Sequence, residues 1–537
     1  AVAIWDRRAR RLVLSRDHFG IKPLYCSLRG SRVAFASEAK AILEAYPEER
    51  RVDRDQVVWF LSGCSPDSGE ETFFDNIHQV PQAGYLVIER SGSPRRGTYW
   101  RVEPSRSIAE DEAEGTLRHL LDDAVRLRLR SDVPVGACLS GGIDSSAIVR
   151  LAGPRLEEPM HCFTMRHPEP GYDETEFAAL VTAGSERYHH HWIEPQPEEM
   201  LQTVRRIVWH HDMPCAARGR FGKWHTFEEA GRHVKVVVDG QGADEMFAGY
   251  RHYYLPFLLD CVRFAGSGSA PSGWLRQMRA VFATWSGGGR KLAAQSVAHL
   301  TRPMTGAIWP SQRLIRREAL LASRPLPKRT MYSTWLCEDV DRPFDSHLDN
   351  ALWGDFRYSS LPELLHAEDA LAMAHSVEAR PAFLDPRLVE LAFSLPFHQK
   401  IRDGWRKSVL RRALEGVLPA KVQWRRDKMG YPLPVQRWLV QHEDNYRQFD
   451  ELVLGNGALV EEFVNRGPLE GLIARRRKNA AGPRWDRELL WRVATVEIWL
   501  RFLRGGEPPS ATGAKARVSD SPPSPSPGDR RNHSRSA

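Results

Sequence analysis

The 537-residue sequence has no pair of cysteines at C-x-x-C spacing. Its seven cysteines (Cys26, Cys64, Cys138, Cys162, Cys215, Cys261, Cys337) are scattered and odd in number, which argues against a zinc ribbon and a disulfide framework. A reducing, cytoplasmic setting is the expectation. No run of about 18 apolar residues occurs, so no membrane span is expected. Both common phosphate loops are also missing, since neither G-x-x-x-x-G-K-[ST] nor G-x-G-x-x-G is found. The formal charge is +8 and the isoelectric point is near 9.1. The basic runs Arg7 to Arg11 and Arg475 to Lys478 carry no interleaved aromatics, so nucleic acid is not an expected partner. The chain opens on Ala1 inside the apolar stretch "AVAIWD" with no signal-peptide pattern, and residues are expected to precede it.

What is present suits a soluble globular protein of more than one domain: 42% hydrophobic and 27% charged residues over this length. From Ala1 to about residue 103, short apolar runs ("RLVLS", "RVAFAS", "GYLVIER") alternate with turn clusters, which predicts a β-rich region. From residue 104 the pattern becomes helical, as in "EGTLRHLLDDAVRLRLRSD", with apolar residues every three or four positions. Beyond it, "VPVGACLS", "MHCFTM" and "VKVVVDG" are short β-type runs followed by loops and longer helical patterns. These predict βαβ units on a doubly wound parallel sheet, hence an α/β fold, with a helical C-terminal part to residue 505. Residues 506–537 are rich in Pro, Ser and Arg and are expected to be disordered.

Two turns at predicted strand ends carry chemistry. In "GACLSGGIDSSAIV", Gly141 and Gly142 let the backbone approach an anion, Ser140, Ser145 and Ser146 offer hydroxyls, and a helix N-terminus follows. A glycine turn with an aspartate cap is the plainer reading; the coincidence of these features favours phosphate. Asp144 would repel an anion unless a hard cation such as Mg²⁺ lies between them. In "VVVDGQGADEMFAGY", Asp239, Asp244 and Glu245 gather around Gly240 and Gly242, giving carboxylates for Mg²⁺ and room for a nucleotide.

"SGGIDSS" is similar to the pyrophosphate loop of N-type ATP pyrophosphatases, and "DGQGADE" behind it narrows the resemblance to the asparagine synthetases. "RDHFGIKPLY" and "FASEAKAIL" resemble the later part of a class II glutamine amidotransferase domain of N-terminal-nucleophile type. "LAMAHSVEARPAFLD", "GWRKSVLRRA" and "WRRDKMGYPLP" extend the likeness over residues 1 to about 440. The resemblance implies that a carboxylate, aspartate in the parent enzymes, attacks the α-phosphorus of ATP to give an acyl-adenylate. Ammonia derived from glutamine then displaces AMP. It further implies Mg²⁺ at Asp144 and Asp244, pyrophosphate at Ser140, Gly141, Gly142 and Ser145, and AMP near Cys138, Leu139, Met165, Asp239 and Gly240. Lys428 falls where the family carries a lysine over the reacting phosphate. A homodimer of such a ligase, working on small molecules, is the expected assembly.

Two departures stand out. Many family members have Glu where this chain has Gln241, a position linked to adenylation and amine handling, and a neutral amide is no base. Asp369 also lacks the usual flanking arginines. Both leave open an acceptor other than aspartate, or closure of a lactam; a degenerate, non-catalytic homologue would be expected to have lost Asp144, Asp244 or a loop glycine. The glutaminase nucleophile is expected to be absent from this chain, with Cys26 a buried strand thiol. His189 to His191 read as strand residues, His190 facing away from the other two, with no evident metal-ligand partner.

Overall fold

The computed structural model describes residues 1–63, 69–90, 93–103, 108–198, 200–216, 219–265, 273–285, 341–426, 433–478, 484–509 and 517–519. In the first region, alternating apolar residues pair into two antiparallel sheets. One has the order β1 (Val2–Asp6), β2 (Arg11–Ser15), β6, β7, and the other the order β4, β3, β5. Here β3 is Tyr25–Arg29, β4 Arg32–Ala36, β5 His78–Gln79, β6 Gly84–Glu89 and β7 Arg95–Thr98. Leu14, Leu24, Cys26, Val80 and Leu86 fill the space between them.

The amphipathic pattern after it forms the helix Glu110–Arg128, which buries Leu117, Leu121 and Val125. Five parallel strands follow: β8 (Val135–Cys138), β9 (Met160–Met165), β10 (Tyr188–Glu194), β11 (Val236–Asp239) and β12 (Glu378–Pro381). Their order is β12-β11-β8-β9-β10. From β8 the chain winds outward through β9 and β10, then returns to place β11 and β12 on the other flank. The switch point therefore falls between β8 and β11, whose register pairs Val236 with Val135 and Val238 with Ala137. A doubly wound sheet binds its ligand at the carboxyl ends beside such a point. Apolar clusters cover both faces, one around Leu139, Ile148 and Val238, the other around Phe163, Val237 and Trp491. The second also takes in Tyr25, Val57 and Phe60, which joins the first region to the C-terminal helix Arg484–Leu503.

The long helical stretch is interrupted by β12 and by a two-residue hairpin, β13 (Ile401–Arg402) with β14 (Trp405–Arg406). Within the tail expected to be disordered, β15 (Arg517–Ser519) pairs antiparallel with Trp192–Glu194 of β10. An open sheet edge offers backbone groups that pair whatever the side chains, which composition alone does not register. The other tail residues from 520 onward lie outside the described residues, as do 510–516.

Gly136 sets how closely β8 packs. A Cβ there would stand 2.9 Å from both the His161 carbonyl oxygen and the Phe163 ring. Gly136→Ala is expected to cost about 1–3 kcal/mol, the usual range for overpacking, read as a lowered Tm; an unchanged Tm would show that the sheet is looser than this.

Candidate functional site

The turn after β8 holds itself together. Ser145 Oγ accepts from the Ser140 amide at 3.2 Å, lies 3.1 Å from Ser140 Oγ and donates to the Gly142 carbonyl at 3.3 Å. Gly141 has φ +65°, a left-handed conformation that favours glycine, and a Cβ there would strike the Ala178 amide at 2.6 Å. Ser146 differs from the reading of three exposed hydroxyls, because its buried Oγ has no hydrogen-bond partner. Gly142 caps the helix Ile143–Ala152, which places Asp144 in its first turn. The turn after β11 presses against the first: a Cβ on Gly240 would sit 2.8 Å from Asp144 Cβ and 3.1 Å from the Ser145 amide.

Between the two turns lies Lys407, the residue that sequence reasoning missed. Its Nζ donates to both oxygens of Asp144 at 2.7 Å and lies 2.5 Å from Asp244 Oδ1. The Lys407 and Asp144 side chains are each only 4% exposed, so the two carboxylates repel at close range and one ammonium offsets them. Lys407 reaches them from a left-handed backbone (φ +53°), its amide donating to the Phe247 carbonyl at 3.1 Å. It stands inside "GWRKSVLRRA", yet a lysine among arginines gives no signal of its own.

Glu245, read with Asp244 as part of one acidic group, turns elsewhere. Its Oε1 accepts from Tyr250 at 2.7 Å and from Ser360 at 2.9 Å. Burial, with Asp244 adding to it, pushes its carboxyl up to about 7. Asp239 instead faces Lys223, 3.6 Å away, and accepts the Gln241 amide at 3.2 Å. The Gln241 side chain donates to Glu368 Oε2 at 2.8 Å, and Lys223 closes on that same oxygen. Glu368 is buried, and its other oxygen, like Asp239 Oδ2, has no hydrogen-bond partner. The next residue, Asp369, takes Lys22 of the first region at 2.6 Å, which supplies a cation where the flanking arginines are lacking.

Of the remaining predicted residues, Cys138, Leu139 and Met165 lie buried at the ends of β8 and β9. Leu139 is committed to the sheet, its amide donating to Phe163 at 2.9 Å and its carbonyl accepting from Thr164 at 2.6 Å. Lys428 lies outside the described residues. Three positions before it, Arg425 pairs with Glu174 at 2.8 Å, reaches the Gly141 carbonyl at 3.5 Å and covers the Phe177 ring. That side of the phosphate turn is thus bounded by the segment that leads to Lys428. The five described cysteines are buried and form no disulfide among themselves; burial raises Cys26 to about 11 and Cys261 to about 12. Neither is a thiolate at neutral pH.

Asp144 and Asp244 converge on one cationic atom and offer hard oxygen donors, which is the donor chemistry that Mg²⁺ takes at about 2.0–2.1 Å. The residues present fit the ion, provided that Lys407 yields its place. Fold and site together define a two-part α/β protein, an antiparallel β region ahead of a doubly wound domain with an anion turn and paired carboxylates at its switch point. The comparisons with known proteins carry this further. The Asparagine synthase family profile matches residues 116–501, and the Glutamine amidotransferase domain profile matches residues 1–100. Asparagine synthetase [glutamine-hydrolyzing] 1 of Bacillus subtilis is 30% identical over 445 residues, covering 82% of this chain and 68% of that protein. A putative asparagine synthetase [glutamine-hydrolyzing] of Mycobacterium tuberculosis is 30% identical over 475 residues, covering 82% and 67%. Amidase chry2 of Gibberella zeae is 26% identical over 489 residues, covering 82% and 70%. The chain belongs to the asparagine synthase family, whose common chemistry is glutamine-dependent amidation. No helix among the described residues is long and apolar enough to cross a membrane.

Removing Lys407 tests the cation site without any assay of activity. Lys407→Ala removes the ammonium that pairs with Asp144 and Asp244, a change that typically costs about 3–5 kcal/mol, and millimolar Mg²⁺ is expected to raise the Tm of the variant more than that of the parent. A Tm of the variant that ignores Mg²⁺ would show that Asp144 and Asp244 do not form a cation site.

Proposed function

We propose that the chain activates a carboxylate with ATP as an acyl-adenylate and amidates it with ammonia drawn from glutamine, aspartate being the acceptor and asparagine the product. The observation that carries this reading is the convergence of Asp144, Asp244 and Lys407 beside the Ser140 to Ser145 turn at the switch point. Backbone amides and hydroxyls of Ser140, Gly141, Gly142 and Ser145 hold the departing pyrophosphate, helped by the helix dipole behind them. Mg²⁺ held by Asp144 and Asp244 supplies, when bound, positive charge against the charge that builds on the leaving group. Lys407 keeps the two carboxylates together before the ion and ATP arrive. Lys428 is the lysine of this reading that acts on the reacting phosphate. The adenosine portion lies over the strand ends at Cys138, Met165, Asp239 and Gly240. Burial raises the thiols of Cys26, Cys162 and Cys261, which makes these three poor nucleophiles for glutamine, and the test supplies the nitrogen as ammonium.

The chain, supplied with ATP, Mg²⁺, ammonium and a panel of carboxylic acids, is expected to form AMP and asparagine in equal amounts with aspartate. Asp144→Asn is expected to reduce that turnover on the order of 10²-fold or more, the scale for loss of a main electrostatic stabiliser. AMP formation with a different acid, and silence with aspartate, would replace the acceptor but leave the adenylation chemistry standing. Near-normal pyrophosphate release by Asp144→Asn would remove the metal assignment.

A second reading, an acceptor other than aspartate, is favoured by one specific arrangement: the neutral Gln241 beside the buried Glu368. Ammonia that attacks the adenylate must lose a proton, which Gln241 cannot take and Glu368, 2.8 Å from its amide nitrogen, can. The charge of the site is thereby moved from the turn after β11 to the helix Ser360–Met373, which reshapes the space offered to the acceptor. Glu368→Gln is expected to reduce the ammonia-dependent step by about 10²–10⁴-fold while sparing acceptor-dependent pyrophosphate release. Equal loss of both steps would make Glu368 a structural residue and not a base.

A further inference from the structure

His161, His191 and His233 come from three separate elements and meet on one face of the sheet. His161 is the second residue of β9, His191 lies in the middle of β10, and His233 ends the helix Arg220–His233. One nitrogen from each ring lies within 4.8 Å of the others. His161 Nδ1 and His191 Nε2 are 2.8 Å apart with rings only 9° from parallel, the geometry of two imidazoles sharing one proton. The His233 ring lies over His191 at 4.3 Å between centroids.

We propose that these three histidines form a binding site for a borderline-soft divalent cation of the Zn²⁺ class, separate from the nucleotide site. Neutral imidazole is the ligand form, and crowding supports it: burial, with His233 and His189 nearby, holds His161 below the usual histidine range. Glu229 Oε1, 2.9 Å from His233 Nε2, orients that ring from behind, as carboxylates commonly do for metal-binding histidines. Glu229 is itself paired with Arg232, which holds the carboxylate in place behind the ring. A zinc ion with Zn–N bonds of about 2.0–2.1 Å needs ligand nitrogens about 3.3 Å apart in a tetrahedral site, so the His161–His191 pair opens by about half an ångström as the ion enters, the ring that donated in that hydrogen bond then carrying its proton on its other nitrogen. His233 is the exposed member of the three, so solvent reaches the site and fills the fourth position. Imidazole nitrogen favours Zn²⁺, Ni²⁺ or Cu²⁺ over Mg²⁺, so the ion of the nucleotide site does not compete. The site lies toward the amino ends of the strands: His161 precedes Met165 by four residues, about 13 Å along an extended strand. A bound ion would clamp β9, β10 and the end of the helix whose first turn carries Lys223.

The test uses the untagged full chain, stripped with chelator, and Zn²⁺ alone as the probe in calorimetric titration. One equivalent is expected to bind and to raise the Tm, with millimolar Mg²⁺ failing to displace it. His233→Ala, at an exposed position that leaves the fold intact, is expected to weaken binding at least tenfold. Glu229→Gln is expected to weaken it about 10–100-fold, and His191→Ala to abolish it. His189→Ala, whose ring is near the cluster but outside the set, is the control and is expected to bind as the parent does. Co²⁺ is expected to give the absorption of a tetrahedral site in the parent and not in His191→Ala. Failure of the parent to bind a saturable equivalent, or parent-like binding by both His233→Ala and His191→Ala, would overturn the site. Neither result bears on adenylation, since none of these residues belongs to the nucleotide turns.

Discussion

The arrangement rests on one lysine. Doubly wound topology brings the ends of β8 and β11 side by side, and each turn contributes an aspartate, Asp144 and Asp244, to the same buried space. Two carboxylates removed from water at that range repel strongly, and the fold tolerates them because Lys407 stands between them. Its position depends on the whole C-terminal part. The backbone at Lys407 is left-handed, its amide is tied to Phe247, and a Cβ on Gly249 would collide with both Asp244 Oδ1 and Lys407 Cε. The helical segments that follow the sheet therefore do more than cover it; they deliver the cation without which the two turns could not approach.

How much of this was legible in the sequence follows from how far apart the contributing residues lie. The apolar runs that became β8 and β11 are marked by β-branched and small residues with glycines close behind them, so strand, turn and helix could be read locally, and β9 was legible as a short apolar run. The phosphate turn was likewise legible, since Ser140 to Ser145 are contiguous. Lys407 was not, being 263 residues from its partner Asp144. Nor were Lys223 and Glu368, because nothing in local periodicity says which charges share an interior. The histidines show both sides of the limit. Alternation along β10 correctly sends His190 toward Thr164 and His191 to the opposite face. The partners His161 and His233 were hidden, since they arrive through β9 and through the end of a helix.

The Gln241 departure is better understood as a relocation of charge than as its loss. An ionised residue on the turn after β11 would add a carboxylate beside Asp239 and Glu368. With glutamine there, the amide nitrogen donates to Glu368 while Lys223 serves Glu368 and Asp239 together. One lysine between two carboxylates at the substrate end thus repeats the motif seen with Lys407 at the phosphate end. In both places one lysine bridges two carboxylates, and at such short range its charge acts on both at once.

The helix Ser360–Met373 then links this charge balance to the first region of the chain. Glu368 faces the nucleotide domain, while the adjacent Asp369 takes Lys22, and His366, two residues before Glu368, meets the Tyr25 hydroxyl at 3.1 Å. His366 and Asp369, three apart, share one side of the helix and Glu368 points to another, so one element is gripped from two sides. Its register relative to the sheet is fixed jointly by the loop "RDHFGIKPLY" and by Lys223. The first region is therefore part of the geometry around Glu368, and its contacts with the helix are as much a constraint there as the Lys223 and Gln241 contacts from the other side.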